Sequence, residues 1–138
     1  MITSTQDMPR PASVLFVCVG NTCRSVLAEY IAKRLFGPTT RVESAGISPQ
    51  MAGDAADAIH ALWEFDIDAS GHQPRHVREV DLASFEVVVA LDSNAMGHLG
   101  GVDTGRIRQW KIPDPWIGAG PEDYRRCANQ IMRELKSL

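Results

Sequence analysis

The feature that most restricts this chain is a junction. Six residues of strand character, Ser13-Val14-Leu15-Phe16-Val17-Cys18, run into a short glycine-containing loop and from there directly into a helical pattern. A continuous β-branched and aromatic run of this length reads as a buried strand ending at Cys18. Over residues 26–36, Leu27, Tyr30, Ile31 and Leu35 recur at helical spacing, and Gly37-Pro38 supplies the stop. Ser25 stands where an N-cap is wanted, although Ala28 takes the place of the Glu or Gln that would complete a capping box.

The alternation continues. A second strand is expected over 41–44, and a helix over about 54–65 with Ile59, Leu62 and Trp63 on one face. Residues 85–91 give the clearest continuous strand, 93–99 start a further helix, and a short strand is expected over 106–110. From Pro121 onward, Tyr124, Cys127, Ala128, Ile131 and Leu135 fall on one stripe, with Glu122 and Asp123 near the positive end of the helix dipole. Strands alternating with helices predict an α/β domain: a central four-stranded parallel sheet with helices on both faces. Such sheets bind ligands beyond the carboxyl ends of their strands, which directs attention to the loop after the first one. With 138 residues and 44% hydrophobic content, one domain is expected over 13–138, behind a flexible tail over 1–12.

Composition removes several classes of function. A formal charge of -3, without a run of Lys and Arg interleaved with aromatics, argues against nucleic acid. No stretch approaches the roughly 18 to 20 apolar residues of a membrane helix, and the first dozen residues lack a signal-peptide pattern. Three cysteines, two of them within one loop, do not resemble a disulfide framework, so a reducing, cytoplasmic location is expected.

The loop Cys18-Val19-Gly20-Asn21-Thr22-Cys23-Arg24-Ser25 places a cysteine and an arginine six positions apart between a strand end and a helix start. A loop of that length can curl around a tetrahedral oxyanion with successive N–H groups turned inward, aided by the helix N-terminus. Gly20 and Asn21 tolerate the left-handed backbone this requires. Arg24 offers two parallel donors to phosphate oxygens, and the same positive surroundings favour an ionised sulfur on Cys18. Ser25 is placed to donate its hydroxyl to that sulfur. No Gly-Lys-Ser/Thr follows, which disfavours a nucleoside triphosphate loop. Spacing alone would equally suit an ordinary strand-end cysteine and a surface arginine; the strand before and the helix after tip the reading.

Cleavage of a phosphate ester also needs a proton for the leaving oxygen. Asp114, in Ile112-Pro113-Asp114-Pro115-Trp116, is the candidate acid, and Trp116 the candidate aromatic wall for a ring-bearing substrate. By itself Asp114 reads as a turn residue between prolines; the Cys18 loop changes its meaning.

Taken with the segments AEYIAKRLF, ESAGIS and DASGHQPRHV, the motifs VLFVCVGNTCRS and PDPW resemble the low molecular weight protein tyrosine phosphatases, particularly the bacterial ones, over most of the chain from about Val14. The resemblance implies Cys18 as nucleophile, Arg24 as phosphate clamp and Asp114 as general acid and then base. Val19, Gly20, Asn21, Thr22, Cys23 and Ser25 would line the phosphate site, and Asn21, Ser25, Ser44 and His72 would form a hydrogen-bond network supporting the loop. It implies no metal and no cofactor. Its partners would be phosphate or another oxyanion in the site and a phosphotyrosine-bearing protein, a bacterial tyrosine kinase being one candidate and a host protein or phosphoarginine another. Cys23 matches a second loop cysteine that pairs reversibly with the nucleophile in many members. Val26 departs from a common proline, and residues 47–51 lack the aromatic that often walls the cleft, which leaves ring clamping to Trp116.

Two other functions fit the residues. A thioredoxin-coupled arsenate reductase shares the fold and loop but needs relay cysteines, and the one remaining, Cys127, sits on the apolar stripe of the last helix. A catalytically silent phosphate-binding module would keep the loop and not need Asp114.

Overall fold

The computed structural model describes residues 10–49, 55–113 and 120–138. Strand β1 (Ser13–Cys18) is wholly buried and lies between two parallel neighbours, β2 (Arg41–Gly46) and β3 (Val87–Ala90); β4 (Ile107–Gln109) extends the sheet beyond β3. The order is β2-β1-β3-β4, every pair parallel. This is the expected four-stranded parallel sheet. Because the chain passes from β2 across β1 to β3, the carboxyl ends of β1 and β3 flank a topological switch point, where α/β sheets open a crevice for ligands.

Alternation along β1 sorts the core into two layers. Val14, Phe16 and Cys18 pack beneath α1 (Arg24–Phe36), α2 (Ala56–Trp63) and α4 (Pro121–Leu135). Leu15 and Val17 face the other side, where the single-turn α3 (Ser93–Met96) and the loops carrying Val77, Phe85, Leu99 and Val102 cover the sheet. Each fully buried Leu or Phe contributes about 1.5–3 kcal/mol relative to exposure. The stripe expected on α4 is present: Tyr124, Cys127, Ala128, Ile131 and Leu135 are all buried. Among the described residues no helix is long and apolar enough to cross a membrane.

Several expectations are corrected. Trp63 does not join Leu62 in the core; it is 53% exposed, because residues adjacent in a helix lie about 100° apart and the inward face of α2 is Ala58, Ala61 and Leu62. The same helix begins at Ala56, and position 54 lies outside the described residues. Leu35 is 47% exposed, since the buried face of α1 ends on Ala32 and Phe36. The strand expected over 85–91 is shortened to Val87–Ala90, because Phe85 closes a 3-10 turn over Leu82–Ser84 and its carbonyl is taken by the Arg106 guanidinium. The helix expected over 93–99 stops after one turn at Gly97.

Of the expected tail, residues 1–9 lie outside the described residues. Ala12 already extends the sheet: its carbonyl accepts from the Arg41 amide at 3.0 Å and its amide donates to Glu86 Oε1 at 3.0 Å.

Candidate active site

The loop from Cys18 to Ser25 is shaped by what its carbonyls bind. Cys18 and Val19 carbonyls accept from the amides of Ile47 (3.1 Å) and Ser48 (2.8 Å), and the Asn21 carbonyl meets His72 Nε2 at 2.9 Å. A trans peptide sets each C=O opposite the next N–H, so the amides of Val19, Gly20 and Thr22 turn the other way. Successive amides turned to one side make an anion nest. Asn21 takes the left-handed backbone this needs, with φ 55°. Gly46, at the end of β2, is pressed against the loop: a Cβ there would stand 2.7 Å from the Val19 carbonyl oxygen and 2.8 Å from the Asn21 nitrogen.

Asn21 is the hub of the support. Its Nδ2 donates to Ser25 Oγ at 2.9 Å and to Ser44 Oγ at 2.8 Å, while Oδ1 accepts from the Arg75 amide at 2.9 Å. Ser25 Oγ thus accepts from Asn21 and lies 2.9 Å from Cys18 Sγ, where an ionised sulfur would take the hydroxyl proton as its hydrogen bond. Ser25 is therefore not the N-cap expected from the sequence. It is the second helical residue, the N-cap position falls to Cys23, and the Ser25 hydroxyl turns to the sulfur instead of a backbone amide. Ser44 Oγ in turn donates a hydrogen bond to the buried carboxylate of Glu29. His72 Nε2 must carry a proton, because a carbonyl only accepts; its Nδ1 is 3.9 Å from Glu29 Oε1. The structure thus brings Asn21, Ser25, Ser44 and His72 together.

Arg24 opens α1 at the loop's far end. Its Nη2 pairs with Asp92 Oδ2 at 3.0 Å and its Nη1 donates to the Ile112 carbonyl at 3.2 Å. That carbonyl lies two residues before Asp114. Asp114 and Trp116 themselves fall outside the described residues. Beyond the Arg24–Asp92 pair, the ends of β3 and β4 leave a cleft of about 350 Å³ walled by Leu91, Asp92, Trp110 and Ile112. The three cysteines form no disulfide, and Cys127 is 4% exposed in the core. Among the described residues no group of three or more His, Cys, Asp or Glu is placed to hold a metal ion.

The sequence reading did not single out Glu29, Gly46, Arg75 or Asp92. Glu29 carried a signal, being one helical turn after Ser25 on the same face. So did Asp92, which directly follows the expected 85–91 strand and so falls at the same carboxyl end of the sheet as Cys18. Arg75 also bonds Glu43 Oε1 at 2.7 Å. Burial pushes the Glu43 carboxyl up, but hydrogen bonds from Arg75 and Arg41, with their charges, outweigh this and hold it below the ordinary range. Burial, with the Glu29 and Asp68 carboxylates, pushes the Tyr30 hydroxyl up; its ring stands edge-on to His72.

A family model described as low molecular weight phosphotyrosine protein phosphatase matches residues 13–138. The chain belongs to this family. Among the similar curated proteins, an arsenate reductase of Staphylococcus aureus (strain N315) is 33% identical over 129 residues, covering 91% of this chain and 95% of the relative. The low molecular weight protein tyrosine phosphatase from T. tengcongensis superposes with a TM-score of 0.76 at 28% identity, over 90% of this chain and 95% of the other. An arginine phosphatase from Geobacillus stearothermophilus gives 0.77 at 25% identity, over 91% and 89%. The phosphatase family to which the chain belongs thus includes relatives named for reactions at phosphate and at arsenate, two tetrahedral oxyanions.

Proposed function

We propose that the protein is a phosphotyrosine phosphatase that works through a cysteinyl-phosphate on Cys18. The observation that carries the reading is the Ser25 hydroxyl 2.9 Å from Cys18 Sγ, in a loop whose carbonyls at Cys18, Val19 and Asn21 are taken by Ile47, Ser48 and His72. In the first step the Cys18 thiolate attacks phosphorus, the bond to the tyrosine oxygen breaks, and that oxygen takes a proton from Asp114. In the second, water attacks phosphorus while Asp114 recovers a proton from it, and the sulfur–phosphorus bond breaks to give back the thiolate, which Ser25 stabilises as it leaves. The nest amides of Val19, Gly20 and Thr22, with Arg24, hold the equatorial oxygens throughout. Asn21, Ser44 and His72 keep the nest in shape, Cys23 closes it beside Arg24, and Trp116 is the aromatic residue assigned to the substrate ring. A tyrosine-phosphorylated protein, such as a bacterial tyrosine kinase in the cytoplasm, is the substrate class that suits an aromatic wall beside an anion cup.

The curated relatives named arsenate reductases support a second reading, in which arsenate replaces phosphate on Cys18, and a second thiol then attacks the Cys18 sulfur, forming a disulfide as the sulfur–arsenic bond breaks and arsenite leaves. Burial of Cys127 at 4% exposure counts against a relay through that residue. Hydrolysis of p-nitrophenyl phosphate, abolished in Cys18→Ser while inorganic phosphate still binds, is the expected result. Thioredoxin-dependent arsenate reduction lost in Cys127→Ala, with negligible ester hydrolysis, would replace the phosphatase reading with the reductase one.

A further inference from the structure

Asp92 is held from three directions. Leu91, just before it, donates its amide to the Val17 carbonyl at 2.9 Å, so the backbone entering Asp92 is fixed to β1. Its Oδ1 accepts from the Ala95 amide at 2.7 Å and caps α3. With Oδ1 on the Ala95 amide, Oδ2 stands 3.0 Å from Arg24 Nη2 as an ion pair outside hydrogen-bond alignment, the two side chains 16% and 9% exposed. The other terminal nitrogen of Arg24 is on the Ile112 carbonyl. The guanidinium is thereby tied to segments leaving β3 and β4, while its backbone belongs to the loop after β1. An arginine has several rotatable bonds, and one hydrogen bond and one ion pair on its planar fork restrict where the remaining donors point.

We infer that Asp92 is a positioning residue for the phosphoryl-transfer reaction. It orients Arg24 so that the guanidinium is already aligned with the oxygens of the transferring group, and it does so at a cost in ground-state attraction for the anion. This rests on the phosphatase reading. The two consequences have opposite signs. A negative charge beside the guanidinium weakens the field that draws an oxyanion into the cup. The alignment it enforces is of most use in the transition state, where the equatorial oxygens carry the developing charge. A carboxylate that only stabilised the fold would move binding, turnover and melting temperature in the same direction.

The test compares wild type, Asp92→Asn and Asp92→Glu as the full chain. Asparagine caps a helix as well as aspartate, so Asp92→Asn keeps α3 and should melt within a few degrees of wild type. Its expected signature is at least threefold tighter binding of inorganic phosphate together with at least a tenfold lower kcat on p-nitrophenyl phosphate. Asp92→Glu, which keeps the charge, should recover part of kcat and return the phosphate Kd toward wild type. A kcat within threefold of wild type in Asp92→Asn overturns the inference, as does weaker phosphate binding that falls in step with kcat. A wild type that did not turn over would count against the phosphatase reading alone. Phosphate affinity then decides: tighter binding in Asp92→Asn supports the inference, and unchanged or weaker binding overturns it.

Discussion

Ser25 Oγ lies 2.9 Å from Cys18 Sγ, seven positions along the chain and out of contact with solvent. The hydroxyl accepts from Asn21 Nδ2, which orients it, and its proton is available to an ionised sulfur. Ser25→Ala removes a hydrogen bond to a charged group, about 1.5–3 kcal/mol. Turnover of p-nitrophenyl phosphate should fall by about 10- to 100-fold, with phosphate affinity little changed. In the proposed mechanism the donor acts on the departing sulfur, so stopped-flow traces should show the phenolate burst retained and the later phase slowed. Loss of the burst itself would assign Ser25 to the first step instead.

Gly46→Ala tests the close approach of β2 to the loop. The added methyl would meet backbone atoms of Val19, Gly20 and Asn21 at 2.7–2.8 Å, none of which can swing aside as a side chain can. The expected destabilisation is about 1–3 kcal/mol, read by denaturant melts. Added phosphate should no longer raise the melting temperature, since the cup is deformed along with the strand. A variant that is less stable yet still raised in melting temperature by phosphate would show that the loop shape does not depend on this contact.

Glu43 carries a pH dependence whose sign follows from its partners. Arg75 and Arg41 hold its carboxyl below the ordinary value of 4.5, so the folded chain binds its proton less readily than the unfolded one. The contribution is present above the ordinary carboxylate range and is lost as pH falls through the folded value. Glu43 is 28% exposed and Arg75 37%, so the size is under ~1 kcal/mol. Glu43→Gln should melt slightly below wild type at neutral pH, and the two should converge in acid. A difference that grew in acid would contradict the ion-pair assignment.

Asp114→Ala distinguishes good from poor leaving groups. Phenyl phosphate, whose phenolate needs a proton, should lose about 10²–10⁴ in kcat, and p-nitrophenyl phosphate far less. An unchanged rate on phenyl phosphate would remove Asp114 from the reaction.

The parts of this architecture that were legible in the sequence are those written within a single element. The strand at 13–18, the loop after it and the apolar stripe of the last helix could all be read from periodicity and spacing, because each is decided by neighbours a few residues away. Trp63 was misplaced because an aromatic at the end of a short helix was credited to the core, whereas three small or aliphatic neighbours already filled that face. The position of Ser25 suits a cap; the competing partner, a sulfur seven residues earlier, belongs to the folded loop. Gly46, Arg75 and Asp92 enter the site only through pairings between strands and loops far apart in the chain, and no local pattern announces those. The network of Asn21, Ser25, Ser44 and His72 was named from family resemblance, and Glu29 was missing from it although helical spacing placed it there.

The nest after β1 is held in shape by Glu29, Ser44, Gly46, His72 and Arg75. A fragment ending before His72 would contain every residue from the nucleophile to the arginine and still have an open chain where the cup should be. Anion affinity in this protein is therefore a report on the completeness of the fold: phosphate should protect the whole chain against proteolysis in proportion to its occupancy, and do nothing for the isolated amino-terminal half.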